Sequence, residues 1–162
     1  MIPTIYLDTS ALTKRYISEK GTETIDLIFD SSEIEKSRIV FSIWNIGESI
    51  GVFDKYYRRK LITEDGFKES IRKMFMEIQK LYKLKTLKLI SLDSNILIET
   101  FPLILKYHLY QADVLQIISF KVGKCDVFLS ADKKLVEIMK TYNENTFNIE
   151  TEGRLFQKTI EF

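Results

Sequence analysis

The amino-acid sequence predicts an α/β fold in which helices cover both faces of a mostly parallel sheet of about five strands. Two observations favour this fold class. Short apolar runs rich in β-forming residues alternate with longer segments of helical periodicity. No repeat, low-complexity segment or Gly/Ser/Pro-rich linker interrupts this alternation. Strands that alternate with helices are joined by right-handed crossovers, which place neighbouring strands parallel.

The predicted strands are the short apolar runs. The first run ends at Asp8, and the Thr9 and Ser10 that follow are typical of a helix start. The second run, RIVFS, is rich in β-branched and aromatic residues. Five runs have this character: Thr4–Leu7, Arg38–Ser42, Leu87–Leu92, Val127–Leu129 and Thr146–Ile149.

The predicted helices fill the segments between the strands. After Trp44 the apolar residues recur every three or four positions, and Thr63 and Asp93 are good N-cap residues. The predicted helices run from Thr9 to about Tyr16, onward from Thr22, and over Trp44–Arg59, Thr63–Tyr82, Asp93–Leu105, Gln111–Lys121 and Asp132–Tyr142.

Length and composition fit one domain. The 162 residues are 45% hydrophobic and 29% charged, which excludes a disordered chain. We assign residues 1–150 to a single domain and residues 151–162 to a C-terminal tail, either packed on the domain or at a dimer contact. The apolar stretches are too short to span a membrane, and the N-terminus lacks the basic region of a signal peptide, so we expect a cytoplasmic protein.

Several classes of site are excluded by what the sequence lacks. It has no G-x-G-x-x-G and no G-x-x-x-x-G-K-[ST], which argues against dinucleotide-binding and P-loop sites. One cysteine, Cys125, and one histidine, His108, are too few for a structural zinc site. A Ser-His-Asp hydrolase would depend wholly on His108, which we interpret as structural or merely exposed.

Four carboxylates remain as candidates for chemistry. Asp8 and Asp132 follow predicted strands, although both also fit as helix N-caps. Glu48 lies in a predicted helix within an apolar stretch, and its alternative is an exposed surface acid. Asp113 interrupts the apolar run 112–118, where a carboxylate needs a partner or a metal, with helix capping as its alternative.

The alternating fold brings these acids toward one edge of the sheet. In such folds the site lies beyond the carboxyl ends of the strands. Four converging acids without a compensating charge repel one another, and their pKa values rise. Bound Mg²⁺ or Mn²⁺ removes this conflict because both cations prefer oxygen ligands. Carboxylate-bound metals of this kind are what phosphodiester hydrolysis needs.

Four segments, in this order and spacing, resemble the acidic motifs of the PIN-domain ribonucleases: YLDTSALTKRY, IWNIGESIG, YQADVLQIISF and VFLSADKKL. The sequence is most similar to the VapC-type toxins of toxin–antitoxin pairs. The resemblance runs from Ile5 to about Asn148. It implies a three-layer α/β/α sandwich with a five-stranded parallel sheet, RNA cleavage that depends on Mg²⁺ or Mn²⁺, a homodimer, and an antitoxin partner.

The resemblance also implies roles for individual residues. The metal-binding and catalytic acids would be those of the four motifs. Ser130 would orient a ligand or a water, and Ser10 matches a small polar residue after the first acid, so it is a candidate for RNA contact. The four implied metal ligands are Asp8, Glu48, Asp113 and Asp132.

The sequence departs from the family pattern at two places. Gln116 stands where the family often has a histidine. Lys133 and Lys134 occupy the stretch where a further aspartate often follows, which leaves open whether one metal or two would bind. The helices between Trp44 and Tyr82 are also longer than in a minimal toxin.

Our prediction is a metal-dependent endoribonuclease that acts as the toxin of a toxin–antitoxin pair. One alternative is a PIN-domain nuclease for RNA processing or turnover without an antitoxin. Another is a catalytically inactive PIN-like RNA-binding module. A phosphatase with Asp8 as covalent nucleophile would need a second acid two residues on, and Ser10 stands there.

Two cations near the first acid are candidates for RNA contact. Lys14 and Arg15 follow Asp8 by at most two helical turns, so we predict that at least one reaches a phosphate beside the site. The alternative is that both pair with nearby acids such as Glu19.

Overall fold

The computed structural model describes residues 2–143 and 145–160. Within them, five strands form one sheet, all parallel, in the order β3-β2-β1-β4-β5. The first strand therefore lies at the centre of the sheet, between β2 and β4. The strands are β1 (Thr4–Leu7), β2 (Arg38–Ser42), β3 (Leu87–Ile90), β4 (Val127–Ser130) and β5 (Thr146–Asn148).

Eight α-helices and one 3₁₀ turn, Thr13–Arg15, connect the described strands. None of the described helices is long and apolar enough to cross a membrane. The helices are α1 (Thr9–Leu12), α2 (Thr22–Glu33), α3 (Ile43–Arg58), α4 (Glu64–Lys83), α5 (Ser94–Tyr107), α6 (Gln111–Gly123), α7 (Lys133–Lys140) and α8 (Gly153–Thr159).

The sheet separates two hydrophobic cores. Successive side chains of a strand point to opposite faces, so Ile5 and Leu7 of β1 join one core and Tyr6 joins the other. The first core packs against α1, α2, α3, α4 and α8, and the second against α5, α6 and α7. The predicted α/β/α sandwich is thus confirmed, and its sheet is wholly parallel.

The segment that follows residue 150 packs on the domain. Phe156 of α8 is fully buried, and its ring lies edge-on to Phe147 of β5 with 5.8 Å between centroids. At Gly153 an added Cβ would lie 2.8 Å from the hydroxyl of Thr24, so α8 approaches α2 more closely than a side chain would allow. Residues 1 and 144 of the predicted domain and 161–162 of the predicted tail lie outside the described residues.

Several element ends differ from the prediction by a residue or more. The third strand was predicted through Leu92 but ends at Ile90, where Ser91 and Leu92 begin the turn into Asp93. The helix predicted from Asp132 begins one residue later and ends at Lys140, because Asp132 is its N-cap rather than its first turn.

Candidate functional site

The predicted acids lie around the carboxyl ends of the strands. Asp8 follows β1, Asp132 follows β4, Glu48 lies in α3 after β2, and Asp113 is in the first turn of α6. Their charges act on one another: Asp132 raises the pKa of Asp8, and Asp132 and Glu48 raise that of Asp113. The fold therefore brings all four into one electrostatic cluster.

Asp8 is the buried member of the cluster, with 4% of its surface exposed. Its Oδ1 accepts a hydrogen bond of 2.8 Å from the backbone N–H of Ala11, which makes it the N-cap of α1. Its Oδ2 accepts a 2.5 Å bond from the hydroxyl of Ser130, and Ser10 donates to both oxygens. Burial raises the pKa of Asp8 to about 6 despite these bonds, and the charge of Asp132 adds to the rise. Asp8 is therefore both the N-cap of α1 and a member of the acid cluster.

Two serines join the loops that follow β1 and β4. Ser130 donates to Asp8 and accepts a 2.9 Å bond from the backbone N–H of Asp132. Ser10 accepts a 2.7 Å bond from the backbone N–H of Ala131. Both hydroxyls are thus used within the protein, where they fix the position of the Asp8 carboxylate.

Glu48 is half-buried rather than on the open surface. Its Oε2 accepts a 2.5 Å hydrogen bond from the hydroxyl of Thr9 and a 3.3 Å bond from the side-chain amide of Gln116. Thr9 comes from the first motif and Gln116 from the third. The alternative of an isolated surface acid is therefore wrong, because side chains from two other elements orient this carboxylate.

A buried amide network that was not predicted from the sequence lies beneath Glu48. Asn45 donates to Gln116 Oε1 at 2.8 Å and to the hydroxyl of Thr9 at 3.1 Å. The hydroxyl of Tyr6 donates to the same oxygen of Gln116 at 2.9 Å. Burial raises the pKa of Tyr6 far above its ordinary value, so it stays a neutral donor. One signal was available: Asn45 follows Ser42 by three residues, the spacing of a capping box.

Asp113 is half-buried at the first turn of α6. Burial raises its pKa, and the charges of Asp132 and Glu48 raise it further, whereas Lys134 and the backbone of Tyr110 lower it. The N-cap position of this helix is occupied by Tyr110, whose side chain makes no capping bond. Asp113 therefore is not the N-cap residue of α6, although its carboxylate interacts with the backbone of Tyr110, which is.

Asp132 is exposed and caps α7. Its Oδ1 accepts a 2.9 Å hydrogen bond from the backbone N–H of Leu135. The alternative weighed for this residue, an N-cap, is therefore confirmed. Its charge nonetheless acts on Asp8 and Asp113, so Asp132 links the two more buried acids of the cluster.

The second motif also contains the string G-x-S-x-G, in Gly47-Glu48-Ser49-Ile50-Gly51. In hydrolases this string forms a strand-to-helix turn that exposes the serine as a nucleophile. Here Ser49 lies inside α3, fully buried, and its hydroxyl has no hydrogen-bond partner among the described residues. The string therefore forms no nucleophile elbow in this protein.

The structure corrects the prediction that Lys14 contacts RNA. Its side chain is only 2% exposed, and its Nζ lies 2.7 Å from Glu150 and 3.1 Å from Glu19. Glu19 in turn accepts a hydrogen bond from the hydroxyl of Tyr56. A buried ammonium held by two carboxylates has no face for a phosphate, so the alternative of ion pairing with nearby acids holds.

Arg15 is likewise engaged by acids. Its guanidinium lies 2.7 Å from Asp26 and 2.7 Å from Glu77, and it stacks on the ring of Phe29 at 4.9 Å. Its side chain is 12% exposed. Both predicted cations are held by acids, one acid near in sequence and one distant in each case.

The donor set suits a hard divalent cation. It consists of carboxylate oxygens, and neighbouring carboxylate charges raise the pKa values of Asp8 and Asp113, whereas Lys134 acts on Asp113 in the opposite direction. Among residues 2–143 and 145–160, no group of three or more Asp, Glu, His or Cys side chains is close enough together to hold a metal ion. The arrangement thus fits a cation that takes one or two carboxylates directly and keeps several waters, as Mg²⁺ does.

Comparison with known proteins adds a structural relative. No protein-family model matches the chain. No curated protein matches it in sequence. Among solved structures, the crystal structure of PAE2754 from Pyrobaculum aerophilum is similar, with a TM-score of 0.59 and 18% sequence identity over 98% of this chain and 99% of that one. At this identity the likeness shows a shared fold, which is the three-layer α/β/α arrangement described above.

Proposed function

We propose that this protein is a metal-dependent endoribonuclease that hydrolyses RNA phosphodiester bonds. The observation that carries the proposal is the meeting of four acids at the carboxyl edge of the sheet, with charges that act on one another. A fold gains nothing in stability from such a cluster, since like charges repel. Clusters of groups with raised pKa values in α/β proteins are typical of functional sites.

Each acid has a distinct part in the proposed site. Asp8 is held by two serines and a backbone N–H, so its carboxylate has a fixed direction. Glu48 is oriented by Thr9 and Gln116. Rigid positioning of this kind is what a catalytic site requires. The one or two acids that would hold Mg²⁺ or Mn²⁺ directly come from the four candidates Asp8, Glu48, Asp113 and Asp132.

The chemistry that such a cation supplies when bound is activation of water and stabilisation of charge on the phosphodiester. The chain contributes the negative pocket that selects the cation. Asp113 and Asp132 lie at the rim, where Lys134 acts on Asp113 and is exposed to solvent. A phosphate that approached this rim would meet the ammonium of Lys134, which also donates to the backbone carbonyl of His108.

We propose further that this nuclease is the toxin of a toxin–antitoxin pair in the cytoplasm, with a small antitoxin protein and a second copy of itself as partners. This part rests on the resemblance of the four motifs to VapC-type toxins. Processing or turnover of RNA without an antitoxin is the alternative within the same chemistry. Growth arrest on expression, relieved by a small protein encoded beside the gene, would distinguish the toxin from the processing nuclease.

Cleavage of RNA by the purified protein tests the proposed activity. We expect cleavage of a long single-stranded RNA with Mg²⁺ or Mn²⁺ and none with EDTA. The Asp113→Asn variant, purified in parallel, controls for contaminating nucleases. Binding of RNA without cleavage under all metal conditions would favour an inactive RNA-binding module, and absence of both would refute the proposal.

A further inference from the structure

An apolar groove lies directly beside the acid cluster. Its volume is about 410 Å³, and it is lined by Ile43, Trp44, Gly47 and Glu48 of α3 and by Leu92 in the turn after β3. The groove therefore sits on the β2–β3 side of the cluster. Glu48 belongs to the groove lining and to the acid cluster. A ligand in the groove would therefore lie next to a substrate bound at the acids.

The lining of the groove includes one exposed aromatic side chain, that of Trp44. Trp44 is 43% exposed, although large aromatic side chains are usually well covered. One helical turn on, a Cβ placed at Gly47 would have no heavy atom within 4 Å outside its own helix and its chain neighbours. The missing side chain at Gly47 thus leaves open space beside the indole of Trp44.

We propose that this groove binds one nucleobase of a single-stranded RNA, stacked on Trp44 next to the nucleotide whose phosphate meets the acids. The inference deepens the proposed function and rests on it, since RNA is the substrate there. Proteins that bind single strands stack bases on exposed aromatic side chains. The groove's apolar walls suit a neutral planar ring.

Charge argues for a base rather than a phosphate in the groove. Glu48 is the charged residue of its lining, and its carboxylate would repel an anion. The exposed Lys134, by contrast, acts on Asp113 at the other side of the cluster. An RNA strand would therefore place its phosphate at the acids and its neighbouring base in the groove.

The fluorescence of Trp44 gives a direct test, because it is the single tryptophan of the chain. The parent protein in EDTA would be titrated with a short adenosine oligoribonucleotide and with an abasic ribose-phosphate strand of the same length. We expect saturable quenching by the base-carrying strand and little by the abasic one. Equal responses to both strands, or no response to either at millimolar concentration, would overturn the proposal.

A variant that fills the groove tests the location. Gly47→Leu places a side chain in the open space beside Trp44 and replaces a helical glycine with a better helix former, so we expect it to fold. Quenching by the adenosine strand should be lost. Gly51→Ala, on the same helix and outside the groove lining, should keep it, as should Tyr82→Ala, which removes an exposed aromatic on α4. Retained quenching in Gly47→Leu would contradict the assignment.

Cleavage kinetics separate this inference from the proposed function. With substrates that carry one abasic position, we expect KM to rise about five- to a hundredfold at a single position beside the cleaved bond. Trp44→Ala should raise KM for the intact substrate by a similar factor. For the substrate that is abasic at that position, the same variant should change KM little. Cleavage with equal KM for all abasic positions would refute the base site and leave the nuclease intact. Base-dependent quenching without any cleavage would refute the nuclease and leave the base site.

Discussion

Ser130 at the end of β4 donates a 2.5 Å hydrogen bond to Oδ2 of Asp8 at the end of β1, across 122 positions of sequence. The bond joins the first and the fourth acidic motif. Because Ser130 also accepts from the backbone of Asp132, it fixes two acids with one hydroxyl. The position of Asp8 is therefore set by the neighbouring strand as well as by the short helix that it caps.

Replacement of the half-buried acid should abolish activity without harm to the fold. In Asp113→Asn the amide keeps the volume and removes the charge that would hold the cation. We expect RNA cleavage to fall by at least about a hundredfold, with an unchanged circular dichroism spectrum. Glu48→Gln and Asp8→Asn should behave alike. Near-normal cleavage by Asp113→Asn would refute the assignment of the site.

Metal should stabilise the fold, since the unfolded chain spreads the acids apart. At ten times its dissociation constant, Mn²⁺ should add about 1.4 kcal/mol to the free energy of unfolding. In a chain of this size the melting temperature should rise by roughly 3–6 °C. Asp113→Asn in EDTA should melt at or above the parent, and Mn²⁺ should shift it much less. An unmoved parent at millimolar Mn²⁺ would refute the metal site.

The raised pKa of Asp8 predicts a dependence of stability on pH. The carboxyl has a pKa near 4 in the unfolded chain and about 6 in the metal-free fold. Between these values the folded state binds the extra proton, so the contribution of Asp8 to stability falls as pH rises from about 4 to about 6 and stays low above. The side chain of Asn does not titrate, so the Asp8→Asn variant should not show this fall in the free energy of unfolding.

The comparison of Asp8→Asn with the parent isolates this effect from the other acids. In EDTA, the variant's free energy of unfolding minus the parent's should increase by up to about 3 kcal/mol from pH 4 to pH 7. Urea unfolding at each pH measures the difference. A constant difference across this range would mean that Asp8 titrates normally in the fold.

Lys14 and Arg15 lie in ion pairs instead of the predicted RNA contacts, and one partner of each is distant in sequence. Glu150 is 136 residues from Lys14, and Glu77 is 62 residues from Arg15. By contrast, the strand Arg38–Ser42 and the helix start at Thr63 were predicted to within one residue, because apolar runs and capping residues are local signals. Long-range ion pairs leave no local trace in a single sequence.

The candidate site, too, has a part that the sequence predicts and a part that it does not. The four acids were identified from their order and from the apolar runs around them. The bonds that orient them could not be, because the network of Tyr6, Asn45 and Gln116 joins three separate motifs. Only the spacing of Ser42 and Asn45 pointed to a capping role, and it said nothing of Gln116.

The buried ion pairs of Lys14 should support the fold rather than RNA binding. Lys14→Ala leaves two partly buried carboxylates unpaired, and we expect a loss of about 1–3 kcal/mol in the free energy of unfolding. Arg58→Ala breaks the exposed pair with Asp54 and should cost at most about 0.5 kcal/mol. Chemical denaturation of both variants measures the contrast.

A further variant, Lys14→Met, tests whether Lys14 contributes to RNA binding. If its ammonium is occupied by the two glutamates, Lys14→Met should leave the salt dependence of RNA affinity unchanged. A contact to a single strand would lower the slope of log affinity against log salt by about 0.7. A reduced slope would show that Lys14 leaves its ion pairs for RNA.

The amide network should behave as one unit. Gln116→Met removes the oxygen that accepts from Tyr6 and Asn45, which leaves one N–H of Asn45 unpaired and Tyr6 with only a 3.4 Å bond to Asn45, and should cost about 2–4 kcal/mol. Tyr6→Phe removes one donor and should cost about 1 kcal/mol. The double variant should lose less than the sum, because one unpaired donor disappears. Strict additivity in urea unfolding would mean that the two side chains act independently.

The central place of β1 has a consequence for the order of events during protein synthesis. The strand that carries Asp8 leaves the ribosome first, yet one of its two neighbours in the sheet is β4, formed by residues 127–130. Ser130 and Asp132 arrive with that neighbour, and Glu150, which pairs with Lys14, arrives later still. A nascent or prematurely terminated chain that ends before β4 therefore lacks Asp132, one of the four acids, and Ser130, which orients another. The proposed nuclease is assembled only when nearly the whole chain has been made.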